Sequence, residues 1–169
     1  IIIGNVLAGF QLALAISQDP YFNNKQIALI DRSLKTQNDK TWSFWEKGTG
    51  KWDSIVSKSW NEALVFTRKK ELSLKLTPYT YKTIHALDFY TKAKEILEEK
   101  LNFSFIIEDV LSVENSIHPK VLTTKNSYVA RHIFDSRVTE DYFSKFNNYT
   151  KIIQHFKGWI IETDLPVFN

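Results

Sequence analysis

Ile1, Ile2 and Ile3 form a β-branched apolar triplet that stops at Gly4, and beyond it Leu7, Phe10 and Leu14 recur at helical spacing as far as Ser17. Ala8, Ala13 and Ala15 fill the same stretch with small residues. The spacing predicts strand, turn and helix. Asp19 and Pro20 break the pattern, and the run Gln26-Ile27-Ala28-Leu29-Ile30-Asp31 is a second short apolar segment that ends on a carboxylate. Residues 1–31 therefore read β-α-β. Apolar runs of this kind, buried on both faces and joined by a crossover helix, belong to a parallel sheet with right-handed connections.

From Arg32 to Lys40 the chain is polar, and tryptophans follow at 42, 45, 52 and 60, with Gly48 and Gly50 supplying turns. Leu64 and Phe66, then Leu72, Leu74 and Leu76, alternate loosely on either side of Arg68, Lys69 and Lys70, which predicts a hairpin through the basic stretch before Pro78. Residues 88–100 predict a helix, with Phe89, Ala93, Ile96 and Leu97 as the stripe that packs on the sheet and Asp88 favouring its N-terminal dipole. Residues 103–107 and 110–113 predict strands. Residues 121–124 and 128–135 predict a hairpin turning at Lys125 and Asn126, giving a third parallel strand and a β-meander.

Composition narrows the class. The 169 residues fit one domain, and 43% apolar residues, 24% charge and 24 aromatic side chains (5 Trp, 7 Tyr, 12 Phe) exclude disordered and low-complexity classes. A net charge of +3, whose densest basic run is Arg68, Lys69 and Lys70, argues against a dedicated nucleic-acid binder. The absence of Cys excludes disulfides, thiol nucleophiles and cysteine-ligated metals. No apolar run has the length of a membrane-spanning helix, and the chain reads as a fragment that begins inside a strand.

The strongest chemical signal is the turn Gly4-Asn5-Val6-Leu7-Ala8-Gly9, which follows a strand, opens a helix and is followed by Asp31 at the end of the next strand. In the G-x-G-x-x-G dinucleotide fingerprint the first glycine makes the turn, the second lets the backbone approach a pyrophosphate, and the third brings helix and strand together. Val6 stands in the second position, which predicts weakened anion binding or none. Asp31 is placed to accept from a ribose hydroxyl, with Arg32 beside it facing the adenine side or solvent. The alternative is a tight turn with no ligand. His85, His118, His132 and His155 are too scattered for a sequence-local metal site, so no metal is expected. Glu162, after the apolar run Trp159-Ile160-Ile161, is a candidate buried general acid or simply an acid at a strand end.

Three further blocks are more specific: Asn38-Asp39-Lys40-Thr41-Trp42-Ser43-Phe44-Trp45-Glu46, Phe134-Asp135-Ser136-Arg137, and the run from Gln154 to Thr163 (Gln-His-Phe-Lys-Gly-Trp-Ile-Ile-Glu-Thr). In order and spacing the sequence resembles lycopene cyclases of the bacterial beta-cyclase type. The resemblance implies an α/β fold: a Rossmann-like FAD/NAD(P)-binding domain with a parallel sheet, crossover helices and a β-meander. It implies a truncated FAD domain over residues 1–169, in which 38–85 and 138–169 belong to the substrate-facing region. It also implies FAD in its reduced form, NAD(P)H as reductant, and cyclisation of the linear ends of lycopene or a related carotenoid to β-ionone rings.

On this reading Gly4, Asn5, Leu7, Ala8, Gly9, Asp31, Arg32 and Asp135 contact the cofactor, and Trp42, Phe44 and Trp45 line or approach a dry cavity suited to a carbocation. The expected setting is cytoplasmic, peripheral to the inner face of a bacterial membrane. The family's acidic motif for substrate protonation is expected beyond Asn169, so no cyclase turnover is expected from this chain alone. Two alternatives stay open: another flavin-dependent oxidoreductase (hydroxylase or prenyl reductase), and a non-catalytic carotenoid-binding or interaction module.

Overall fold

The computed structural model describes residues 1–138 and 163–165. In chain order the elements are β1 (Ile2–Ile3), α1 (Leu7–Gln18), β2 (Ile27–Asp31), β3 (Thr41–Lys47), β4 (Val56–Trp60), β5 (Glu62–Phe66), β6 (Glu71–Lys75), β7 (Tyr79–His85) and α2 (Ala86–Glu98). They continue with β8 (Phe103–Ile107), β9 (Val110–Glu114), β10 (Lys120–Thr123), β11 (Ser127–Val129) and β12 (Phe134–Asp135). All of them lie in a compact unit, Ile1–Arg137; a second unit comprises Val138–Asn169. Glu162 and the run from Gln154 to Glu162 lie outside the described residues.

The scaffold is a parallel sheet in the order β12-β1-β2-β8. Alternation along the strands assigns its two faces. Ile2 and Leu29 join Phe10, Ala13 and Leu14 of α1 and Phe89, Tyr90, Ala93 and Leu97 of α2 in one core. Ile3 and Ile30 join Val110 and Val121 of the antiparallel meander β9-β10-β11 in another. The unit is thus layered helices, parallel sheet, meander, as an α/β arrangement requires when both sheet faces are apolar.

Two boundaries differ from expectation. Helix α2 starts at Ala86, before Asp88, because the Ala86 amide donates to Lys40 O at 2.9 Å and the Leu87 amide lies 3.5 Å from Asn38 Oδ1, so a remote segment receives its first N–H groups. Residues 128–135 are not one strand. Strand β11 ends at Val129, where Ala130 N turns to Pro119 O, and the chain re-enters the structure as β12, beside β1 in the parallel sheet.

The segment between β2 and α2 builds a separate antiparallel sheet, β3-β7-β4, whose neighbouring strands β4 and β7 continue into the two-stranded hairpin β5-β6. The expected hairpin through the basic stretch is present. On the inner face of the sheet Trp42 and Phe44 pack against the helix-side core. Phe89 is the hub: fully buried, it meets Trp52 at 5.0 Å, Trp42 at 5.5 Å and Phe10 at 6.2 Å between ring centroids, all edge-to-face. On the outer face Trp45 and Trp60 flank Tyr81 in register, at 4.7 and 5.9 Å. Trp42 and Phe44 are therefore core residues; of the three aromatics expected beside a cavity, Trp45 alone presents its ring outward, 57% exposed.

Candidate functional site

The site forms where β1 gives way to α1, at the carboxyl ends of the parallel strands, which is where ligands bind in open α/β sheets. Gly4 adopts φ +95°, a conformation L side chains disfavour, and its amide donates to Ile30 O at 2.8 Å. A Cβ at Gly4 would also strike Ser136 Oγ, and one at Gly9 would strike the Gly4 carbonyl. Two of the fingerprint glycines thus perform the roles read from the sequence, the tight turn and the close helix approach.

The helix start is left open. Val6 is the N-cap residue of α1 and makes no side-chain cap, and the first turn carries no acid. Valine is among the poorest N-cap residues, costing roughly 1 kcal/mol against Ser or Asp. Among the described residues the amides of Leu7 and Ala8 have no acceptor. The Val6 side chain packs against the helix-side core, so the intruding isopropyl group is partly taken up by the hydrophobic layer.

Asp31 ends β2 with its carboxylate buried under this turn. Its Oδ2 accepts from Asn5 N at 2.7 Å, and its Oδ1 accepts from Ser33 N at 3.0 Å, from Ser33 Oγ at 3.3 Å and from Lys35 Nζ at 3.1 Å. The carboxylate expected to meet a ribose is therefore engaged in holding the turn; Arg32 points to solvent. Lys35 and Ser33 are the partners that spacing alone did not single out. Beside them, Asn5, Ser33, Lys35, Tyr90, Lys94 and Phe105 line a cavity of about 610 Å³. Asn5 Oδ1 is buried and unpartnered among the described residues.

Strand β12 brings the second motif block to the same place. Ser136 N and Oγ both donate to Ile3 O, at 3.0 and 2.8 Å, seating the hydroxyl over Gly4. Arg137 grips Asp135 with two nitrogens, Nε to Oδ1 at 2.9 Å and Nη2 to Oδ2 at 2.8 Å, and donates through Nη1 to Val110 O at 2.6 Å. Burial works against the Asp135 charge, but the Arg137 hydrogen bonds prevail and hold its carboxyl below the ordinary range. Of the expected cofactor contacts, Gly4, Asn5, Gly9, Asp31 and Asp135 gather here. Ala8 is exposed on the first helical turn, and Leu7 turns its side chain toward the core.

The first motif block acts elsewhere. Tyr90 OH donates to Asp39 Oδ1 at 2.9 Å, and Lys82 reaches Glu46 Oε2 at 2.9 Å, Asp53 Oδ1 at 2.5 Å and Gly48 O at 3.0 Å on the inner sheet face. These contacts dock the segment on α2 and tie β3 to the loop before β4. A larger cavity of about 1100 Å³ lies at the opposite end of the strands, beside Ile1, Ile27 and His132, remote from the glycine turn.

The family model described as lycopene cyclase protein matches residues 1–169. A search of the curated proteins finds no match. Among solved structures the chain is similar to halogenase PltM (10% identity, TM-score 0.59, 85% of this chain and 36% of that one). It is also similar to a flavin-dependent brominase (12% identity, TM-score 0.58, 85% and 39%). PltM in complex with phloroglucinol and FAD gives 10% identity and TM-score 0.57, over 80% and 33%. At these identities the likeness is one of fold, that of FAD-dependent Rossmann-type proteins, and the chain spans little more than a third of their length.

Proposed function

This chain belongs to the lycopene cyclase protein family, and from that premise we propose that it is the flavin-holding part of an enzyme that closes the linear ends of lycopene, or of a related carotenoid, into β-ionone rings. The observation that carries the reading is the uncapped, acid-free start of α1 above Gly4, whose free amides suit a diphosphate. The unpartnered Asn5 Oδ1 and the adjoining cavity fit a polar ligand at the same point.

The amides of Leu7 and Ala8 would hold the diphosphate of FAD, and Asp31 would fix the turn from below. Reduced FAD, maintained by NAD(P)H, would supply an electron-rich surface that offsets positive charge on the substrate. The row Trp45-Tyr81-Trp60 would offer π faces to an extended hydrocarbon. The acid that protonates the substrate is assigned to the rest of the parent enzyme. Because the substrate is a hydrocarbon soluble only in the bilayer, we assign the enzyme to the cytoplasmic face of a bacterial membrane, as a peripheral protein.

Titration of FAD against the chain, read by flavin fluorescence quenching, tests the proposal, with ADP and riboflavin as competitors. Quenching relieved by ADP but not by riboflavin is expected, and Val6→Gly tightens binding. If neither protein binds FAD at tens of micromolar, the cofactor reading fails.

Two observations favour a second reading. The engaged Asp31 carboxylate and Val6 together suit a turn that holds no nucleotide, and hence a carotenoid-binding module without flavin. A carotenoid absorbance shift on mixing with flavin-free protein supports it.

A further inference from the structure

Among the described residues strands β5 and β6 pair only with each other, outside the sheet from which they extend. Their register sorts the side chains. Ala63 faces Leu74 and Val65 faces Leu72, making one side of the hairpin free of charge. Glu62–Lys75, Leu64–Ser73 and Phe66–Glu71 make the other side mixed. On the charge-free side Val65, Leu72 and Leu74 are 40, 47 and 44% exposed. The turn is well formed: Thr67 N donates to Lys70 O at 2.8 Å, and Lys70 N donates to Thr67 Oγ1 at 3.0 Å. It carries Arg68, Lys69 and Lys70, all exposed and without an ion pair among the described residues.

An isolated two-stranded hairpin is marginal in water, and an apolar side left open on it requires a cover. We propose that this hairpin lies flat on an anionic lipid bilayer, with the side bearing Val65, Leu72 and Leu74 sunk into the headgroup–acyl boundary and Arg68, Lys69 and Lys70 contacting lipid phosphates. Charge complementarity selects this occupant. Three adjacent unpaired cations border an uncharged apolar patch, which matches phosphate above hydrocarbon, and their long aliphatic stems let the charges stay at headgroup level beside the buried side. Insertion tip-first would drive the same cations into hydrocarbon, so the flat orientation is the consistent one.

The inference rests on the membrane setting proposed above and is independent of flavin; the FAD titration and the vesicle experiment fail separately. The chain has no cysteine, so single labels are clean. Leu72→Cys and Ser73→Cys, each carrying a nitrobenzoxadiazole dye, are mixed with vesicles of equal parts phosphatidylglycerol and phosphatidylcholine.

The dye at position 72 is expected to brighten and shift to the blue while the dye at 73, on the opposite side, stays near its aqueous spectrum. Arg68→Gln/Lys69→Gln/Lys70→Gln is expected to weaken partitioning on the order of a hundredfold. Lys92→Gln, on the exposed side of α2, leaves it unchanged. Equal responses at 72 and 73, or partitioning that survives the triple substitution, overturn the proposal. So does a shift at 72 that appears without vesicles as protein concentration rises, which would make the cover a second copy of the chain.

Discussion

The backbone amide of Asn5 donates to the Asp31 carboxylate at 2.7 Å, tying the turn after β1 to the end of β2. An acid that looks like a ribose ligand in the sequence is thereby a strut of the turn itself. Asp31→Asn keeps the shape and removes the charge that also holds Lys35 at 3.1 Å. A loss of about 1.5–3 kcal/mol is expected, seen as a lower urea midpoint at unchanged slope. FAD affinity falls with it, because the turn loosens.

Gly9→Ala sets a methyl against the Gly4 carbonyl, which belongs to backbone and has no way to yield. Destabilisation of about 1–3 kcal/mol is expected. At Gly4 the obstacle is double: φ +95° and Ser136 Oγ. Ser136→Gly in the background of Gly4→Ala removes the contact but not the dihedral strain, so thermal melts should show partial rescue only.

Lys82→Met leaves the Glu46 and Asp53 carboxylates without their shared cation. The Lys82 hydrogen bond holds the Asp53 carboxyl below its ordinary range, and the hydrogen bonds from Lys82 to Asp53 and Glu46 raise the lysine in turn. A lowered acid contributes stability above its unfolded pKa and loses it as pH falls through the folded value; a raised lysine contributes below its unfolded pKa and loses it as pH rises through the folded value. The Tm deficit of the variant should therefore be full between about pH 4 and about pH 10 and shrink on either side. A deficit that stays constant down to the acid limit would show that the ion pairs contribute nothing.

Burial, then the hydrogen bond to Asp39, pushes the Tyr90 phenol well up. The folded state keeps the protonated phenol, so this stability is present below the unfolded pKa of about 10 and is lost as pH rises beyond it. Tyr90→Phe should be less stable at neutral pH through loss of the Asp39 contact, yet show a flatter decline in alkaline denaturation.

Phe89→Ala removes the ring that Phe10, Trp42 and Trp52 all meet edge-on. A cost of about 3–5 kcal/mol is expected, read by urea denaturation.

Local pattern carried the β-α-β opening, the stripe of α2, the basic-tipped hairpin and the meander, because each is written in spacing between near neighbours. It carried the glycine turn for the same reason. What spacing did not show were contacts between remote segments. Ser136 over Gly4, and Asn38 with Lys40 at the start of α2, depend on how separate elements are laid together. The single strand expected over 128–135 failed for a related reason: its apolar residues lie on either side of Arg131 and His132, and β1 takes its last two residues. Trp42, Phe44 and Trp45 share one strand, and the alternation of that strand sends two of them inward and one out.

Strand β12 reaches β1 from more than a hundred residues downstream, with Ile2 opposite Phe134 and Ile3 opposite Asp135. During synthesis the first strand therefore waits as a bare margin, open to neighbouring polypeptides, until the return segment leaves the ribosome. A product cut short before Phe134 would keep the glycine motif whole yet carry that margin permanently, and should precipitate.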